Sequence, residues 1–115
     1  MFEQVFADLS KRVPEIRMAG VWGTDGLELE KKVFSPLKVD VDFLGAEVAD
    51  IITKINGIQP FPQSARVRLD LEDGWLYVFR ITREFFFILL ADRDAIDGRV
   101  NFYADLSRAR ILEML

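Results

Sequence analysis

Seven consecutive residues from Phe85 to Ala91 are apolar, with no polar residue among them. A strand with one face in water alternates apolar and polar residues, whereas a strand covered on both faces does not need to. The run is too short to cross a membrane, which takes about 20 apolar residues. Its three aromatic residues and its lack of Gly and Pro favour a strand over a buried helical segment, which periodicity alone would also allow. We therefore predict a central strand with helices on both faces of its sheet.

Three segments have the apolar spacing of helices. The first is predicted to end near Arg12, because Pro14 disfavours helical geometry at the residue before it. The second is predicted to begin at Asp40 as its N-cap and to end near Ile55, before Asn56–Gly57. The third is predicted to begin at Asp97 as its N-cap. The predicted inner residues of the first and third helices are Phe2, Val5, Phe6 and Leu9, and Val100, Tyr103, Ala104, Ile111, Leu112 and Leu115.

Four further segments are predicted as strands, namely Ile16–Trp22, Leu27–Phe34, Ala65–Leu71 and Trp75–Ile81. The first two are joined by Gly23–Thr24–Asp25–Gly26, whose Asp and Gly residues tolerate the positive φ of a tight hairpin. In the first strand, Ile16, Met18, Gly20 and Trp22 are predicted to share one face. In the second, Leu27, Leu29 and Val33 are predicted to form the inner face, as in a strand near an edge with one side in water.

The second helix is predicted to have three faces. The face toward the sheet contains Gly45 and six larger apolar residues, namely Val41, Leu44, Val48, Ile51, Ile52 and Ile55. Beside it lies a seam of small residues, Ala46, Ala49 and Thr53, with Asp42 on the same line. Small side chains let another helix approach closely, although Ala is also simply a good helix former. The remaining outer face contains Phe43, Glu47, Asp50 and Lys54.

Composition narrows the class of protein. A chain of 115 residues, half of them hydrophobic, is predicted to form a single domain over residues 1–115. The net charge of −4 argues against nucleic acid as a partner. The N-terminal residues lack the basic and apolar regions of a signal peptide, and no segment is long enough to span a membrane. A cytoplasmic protein without membrane insertion is therefore expected.

The sequence offers no candidate active site. It contains neither His nor Cys, which removes the commonest general base and any thiolate nucleophile or metal ligand. The glycines of the first hairpin lack the spacing and the Lys-Ser/Thr ending of a phosphate-binding loop. Asp92 and Asp94 follow the central strand, where an ordinary loop or cap explains them. We therefore expect no enzymatic activity, no cofactor and no metal site.

The order helix, strand, strand, helix, strand, strand, strand, helix resembles that of the roadblock family, and its bacterial MglB-like branch most closely. The hairpin Val21–Leu29 resembles the family's apolar strand, acidic residue, Gly and Leu-x-Leu. The apolar run Phe85–Ala91, the polar turn Asp92–Gly98 and the helix from Arg99 resemble its C-terminal end. The resemblance covers essentially the whole chain. The acidic turn before Gly98 departs from it, because the family more often has an Asn there.

The resemblance implies an α+β fold with a five-stranded antiparallel sheet in the order 2-1-5-4-3. The first and last helices would lie on one face and the second on the other. It also implies a homodimer, in which the second helices pair antiparallel and the third strands join edge to edge. The interface residues implied in this way are Asp42, Ala46, Ala49, Thr53, Arg66, Val67 and Arg68.

Functionally, the resemblance implies a platform for a Ras-like small GTPase, with stimulation of GTP hydrolysis but no arginine finger. The residues expected to face the GTPase are Phe43, Glu47, Asp50 and Lys54. Two alternatives remain open from the sequence. One is a small-molecule sensor of the PAS or profilin-like kind, which would need an internal pocket. The other is a structural subunit of a multiprotein assembly with a heteromeric partner.

Overall fold

The fold contains three helices and five strands in the order αββαβββα within the described part of the chain. The computed structural model describes residues 1–58 and 66–115. The elements are α1 (Glu3–Arg12), β1 (Ile16–Gly23), β2 (Glu28–Val33), α2 (Val41–Asn56), β3 (Arg66–Leu71), β4 (Gly74–Arg80), β5 (Phe85–Asp92) and α3 (Asp97–Met114). Ala65, predicted to begin the third strand, lies outside the described residues. No helix in the described ranges has the length and apolar character needed to cross a membrane.

The five strands form one antiparallel sheet in the order β2-β1-β5-β4-β3, as the resemblance implied. β5 pairs with β1 on one side and β4 on the other, so the apolar run Phe85–Ala91 is the centre of the sheet, as predicted. All six residues from Phe86 to Ala91 are buried. An uninterrupted apolar strand is stable here because helices cover both of its faces.

Helices cover the sheet on both sides. On one side, α1 and α3 pack on a cluster that includes Phe6, Phe87 and Ile111. On the other side, α2 packs on a smaller cluster that includes Trp22 and Ile88. This arrangement confirms that α1 and α3 share one face and that α2 lies alone on the other.

The contact between α2 and the sheet is built around Trp22, whose side chain is only 1% exposed. The indole lies between two glycines. A Cβ added to Gly45 of α2 would lie 2.1 Å from the indole Nε1, and one added to Gly20 of β1 would lie 2.4 Å from Cζ3. The absence of two side chains therefore lets α2 sit directly on the ring.

Two bulges change which residues share a face. Ile16 was predicted on the face of Met18 and Trp22, but it packs with Ala19 and Val21 under α1 and α3. The reason is a register shift between Ile16 and Met18 in the β1–β5 ladder. An extra residue in a ladder moves the preceding side chains to the opposite face.

The prediction that Leu27, Leu29 and Val33 form an inner face is also wrong, because their side chains are 70%, 42% and 41% exposed. The β1–β2 ladder shifts register between Val21 and Trp22, which breaks the alternation. β2 is also the edge strand, and the helices cover it incompletely.

Two predictions for α3 are corrected as well. Asp97 is the first residue of the helix and Ile96 is its N-cap, without a side-chain cap hydrogen bond. The Asp97 carboxylate instead bonds to other elements, as described below. Leu112 and Leu115, predicted to face inward, are 50% and 44% exposed, whereas Ile111 is fully buried. The buried side of α3 passes through Ile111, and helical spacing turns Leu112 away from it.

Candidate functional site

The outer face of α2 is the most exposed helical surface that the sequence singled out. Asp40 caps the helix as predicted, since its carboxylate accepts hydrogen bonds from the backbone N–H groups of Asp42 and Phe43. Phe43 is 65% exposed, and Glu47 also faces solvent. Asp50 and Lys54 form an ion pair with 3.5 Å between Oδ2 and Nζ, and both side chains are mostly exposed. Such a pair contributes only about 0.3–0.5 kcal/mol to stability, so it can rearrange at little cost.

One flank of α2 faces the β1–β2 hairpin. Asp42 Oδ1 lies 2.7 Å from Lys31 Nζ on β2. This hydrogen bond holds the pKa of Asp42 below its usual value and raises the pKa of Lys31. Lys31 Nζ also donates to Glu28 Oε1, and this second bond raises the pKa of Lys31 further. Ala46 lies beside Gly26 in the hairpin turn, and Thr53 lies on the same flank. These small residues therefore face the β2 edge of the sheet.

Two residues of α2 lie elsewhere than predicted. Ala49, predicted in the seam of small residues beside the sheet-facing side, is 5% exposed and packs in the core with Trp22 and Val48. Ile51, predicted to face the sheet, is 39% exposed. Both differences follow from Gly45, because its close contact with Trp22 turns the Gly45–Ala49 side of the helix toward the sheet. Helical spacing puts Ile51 on the flank opposite Ala46.

The third strand is the edge opposite β2, and its two arginines are held by α3. Arg66 Nη2 donates to both carboxylate oxygens of Asp105, at 2.9 and 3.1 Å. Arg68 Nη1 lies 2.9 Å from Asp97 Oδ1. The two guanidinium groups also lie over the rings of Phe79 and Trp75, respectively. They are thus turned onto the α1–α3 side of the sheet, whereas Val67 packs on the α2 side.

A hydrogen-bond network that the sequence did not reveal joins β3, β4 and α3. The Tyr77 hydroxyl donates to Asp97 Oδ1 at 2.8 Å, and Asn101 Nδ2 donates to the same oxygen at 3.0 Å. Burial and this bond raise the pKa of Tyr77 to about 12. The Tyr77 and Arg68 bonds lower the pKa of Asp97. The only signal in the sequence was the alternation of Arg with apolar residues along β3.

The two sheet edges differ in their suitability for pairing with another strand. β2 contains a bulge and the charged residues Glu28, Glu30, Lys31 and Lys32, all of which discourage pairing. β3 pairs with β4 in a regular register from Arg66 to Leu71, without a bulge. The backbone groups on the outer side of β3 therefore form a straight template for another strand.

The space between α2 and the sheet is tightly packed, and the described residues form no cluster of metal ligands. No group of three or more His, Cys, Asp or Glu residues in residues 1–58 and 66–115 could hold a metal ion. The gap between α2 and the β3–β4 strands has a volume of about 10 Å³, enough for one water at most.

Comparison with known proteins identifies the fold. No protein-family sequence model matches the chain, and no curated protein matches it by sequence. The structure matches the gliding protein MglB from Thermus thermophilus, with a TM-score of 0.86 and 20% identity over 99% of this chain and 90% of that one. An MglB with a tetrameric arrangement matches with a TM-score of 0.86 and 20% identity, over 98% and 88%. A Roadblock/LC7 domain from Streptomyces avermitilis matches with a TM-score of 0.80 and 18% identity, over 94% and 92%.

Proposed function

We propose that this chain, which has the fold of MglB and Roadblock/LC7 domains, is a homodimeric platform for a Ras-like small GTPase and stimulates its GTP hydrolysis. The proposal rests on the family resemblance in the sequence and on the structural match to MglB over nearly the whole chain. The observation that carries it furthest is the outer face of α2. That face presents an exposed aromatic residue, Phe43, beside the exposed ion pair of Asp50 and Lys54. Phe43 does not belong to the hydrophobic core.

The absence of a catalytic group from the sequence is compatible with this function. The family that the chain resembles supplies no arginine finger and acts by reshaping the loops of its GTPase. Such an activity needs a contact surface with an apolar anchor and surrounding charges. Phe43 supplies the anchor, and Glu47, Asp50 and Lys54 supply the charges.

The proposed dimer uses the β3 edge, because that strand is regular and its arginines are turned away onto α3. Pairing two β3 strands would bring together the α2 flanks that face this edge. Ile55 of α2 lines the narrow gap beside Arg66 and Val67, and helical spacing puts Ile51 on the same flank. We therefore assign the helix–helix contact to the Ile51 flank, and Asp42, Ala46 and Thr53 to the hairpin side. Ala49 belongs to the core.

The test is nucleotide-dependent capture of a GTPase from a lysate of the source organism, with this protein as bait. A GTPase of Ras size should be retained with a GTP analogue and not with GDP. The double variant Phe43→Ala, Lys54→Glu should weaken binding by about 2 kcal/mol or more, which is roughly thirtyfold or more. Phe102→Ala is the matched control, because Phe102 is similarly exposed but lies on α3, across the sheet.

A GTP-hydrolysis assay with the purified GTPase then distinguishes stimulation of hydrolysis from binding alone. Faster GTP hydrolysis with the wild-type protein, but not with the double variant, supports the proposal. Equal recovery with both nucleotides would indicate a scaffold. Recovery of no GTPase, or equal binding by the double variant, would contradict the assignment of this face.

A further inference from the structure

A groove between α1 and α3 lies on the side of the sheet opposite α2. The two helices are antiparallel there, since Asp8 pairs with Arg110 at 2.9 Å and Arg12 lies over the ring of Tyr103. The groove has a volume of about 830 Å³ and is open to solvent. Its floor includes Leu9 and Ser107, which are both buried.

An apolar stripe of α3 continues from this groove, which two of its residues, Leu106 and Ala109, line. Phe102 and Leu106 are 60% and 52% exposed, and Ala109 is exposed as well. Their spacing of i, i+4 and i+7 places them on one side of the helix. Phe102 also packs edge-on against Tyr103, with 5.0 Å between the ring centres, which restricts its orientation. The buried residues of α3 are others, namely Val100, Ala104, Ser107 and Ile111. The stripe is therefore additional to the face that holds α3 on the sheet.

The charges that line the groove are mostly positive, although the chain as a whole has a net charge of −4. Lys11, Arg12 and Arg110 line it, against a single carboxylate, Asp8. Gln4 and Arg110 both donate to Asp8, and these bonds lower its pKa. Lys11 and Arg12 form no salt bridge with any residue in the described ranges. Two cations beside an apolar stripe are thus available to a negatively charged partner.

We propose that the α1–α3 groove binds an acidic amphipathic helix of a partner protein. The apolar side of that helix would cover Phe102 and Leu106, and its carboxylates would meet Lys11 and Arg12. A third helix laid along two antiparallel helices is a common packing solution, and apolar anchors at i, i+4 and i+7 are typical of helix-in-groove recognition. An anionic membrane fits less well, because the surface is concave and its lining includes the carboxylate of Asp8.

This inference does not depend on the proposed GTPase contact, because the two surfaces lie on opposite faces of the sheet. A partner in the groove would leave the outer face of α2 free. The protein could then hold two different proteins at once.

The test uses a defined probe on the full chain. The probe is a stapled, fluorescently labelled helical peptide of about 16 residues, roughly 24 Å long, with Leu on one side and Glu on the flanks. A second peptide has Lys in place of each Glu. Binding is measured by fluorescence anisotropy against wild type, Lys11→Glu and Leu106→Ser. The matched controls are Arg83→Glu, in the β4–β5 turn, and Leu112→Ser, an equally exposed position elsewhere on α3.

The acidic peptide should bind the wild type and both controls alike, and the Lys-containing peptide should bind at least tenfold more weakly. Lys11→Glu and Leu106→Ser should each weaken acidic-peptide binding roughly tenfold, because one reverses a charge and the other removes an anchor. Circular dichroism checks that both variants fold. Absence of acidic-peptide binding, or equal binding by Lys11→Glu, overturns the proposal. Binding to phosphatidylserine vesicles that Lys11→Glu abolishes, without peptide binding, overturns it in favour of a membrane.

Discussion

Replacing Gly45 by Ala tests how α2 is seated on the sheet. Both Gly45 and Gly98 lie in helices, so the same substitution can be made in two environments. At position 45 the new Cβ would lie 2.1 Å from Nε1 and 2.4 Å from Cδ1 of Trp22, whereas at position 98 it would meet no atom within 4 Å. The pair of variants thus separates the effect of packing from the effect of helix propensity.

The expected magnitudes follow from these contacts. Gly to Ala in a helix stabilises by about 0.5–1 kcal/mol where there is room for the methyl group. Overpacking a core costs about 1–3 kcal/mol, and the upper part of that range applies because Gly20 confines the indole from its other side. We expect Gly45→Ala to lower the free energy of unfolding by about 1–2 kcal/mol. Gly98→Ala, in the first turn of α3, should raise it by about 0.5 kcal/mol.

Urea unfolding followed by far-ultraviolet circular dichroism measures both effects, at one protein concentration because an associating protein gains stability with concentration. Trp22→Leu removes the atoms that confront the new methyl group. In combination with it, Gly45→Ala should therefore cost at least about 1 kcal/mol less than it does alone. Two results would refute this reasoning. One is equal stability of Gly45→Ala and Gly98→Ala, and the other is additive effects of the substitutions at positions 22 and 45 on the free energy of unfolding. In either case the close contact does not determine how α2 packs on the sheet.

Two further predictions concern association and alkaline stability. Ile51→Glu should be a monomer of 13.3 kDa in light scattering, whereas wild type and the control Ala46→Glu should have about twice that mass. A monomeric wild type would contradict the proposed dimer. Tyr77 has a folded pKa of about 12 against 10.0 as its ordinary value, so its protonated form is favoured by folding. Its contribution to stability should be complete below pH 10 and lost between pH 10 and 12. The difference in phenolate absorbance between wild type and Tyr77→Phe should accordingly titrate near pH 12, and a midpoint near 10 would refute the burial argument.

The sequence was sufficient to identify the central strand, because an apolar run such as Phe85–Ala91 is stable only where both faces are covered. The helix limits at Pro14 and Asp40 also followed from local chemistry. The faces of β1 and β2 did not, since a bulge depends on the register between two strands and alternation within one strand cannot reveal it.

The candidate site was predictable to a similar degree. Phe43 and its neighbours could be assigned to an outer face because helical spacing alone separates them from the core. The rotation of α2 could not be predicted, because it depends on the fit of Gly45 to the ring of Trp22. That fit buries Ala49 and exposes Ile51. The attachment of Arg66 and Arg68 to α3 likewise joins residues more than 25 positions apart in the sequence.

The two tryptophans of the chain are distributed one to each face of the sheet. Trp22 is enclosed under α2, whereas Trp75 lies half-buried on the other side, with the guanidinium groups of Arg68 and Arg93 at 4.7 and 5.6 Å from its ring. Replacing either one by Phe leaves a single intrinsic fluorophore. Emission from Trp22 then reports on events at α2, and emission from Trp75 on events near α3. The two single-tryptophan variants together therefore report which side of the sheet a partner has reached.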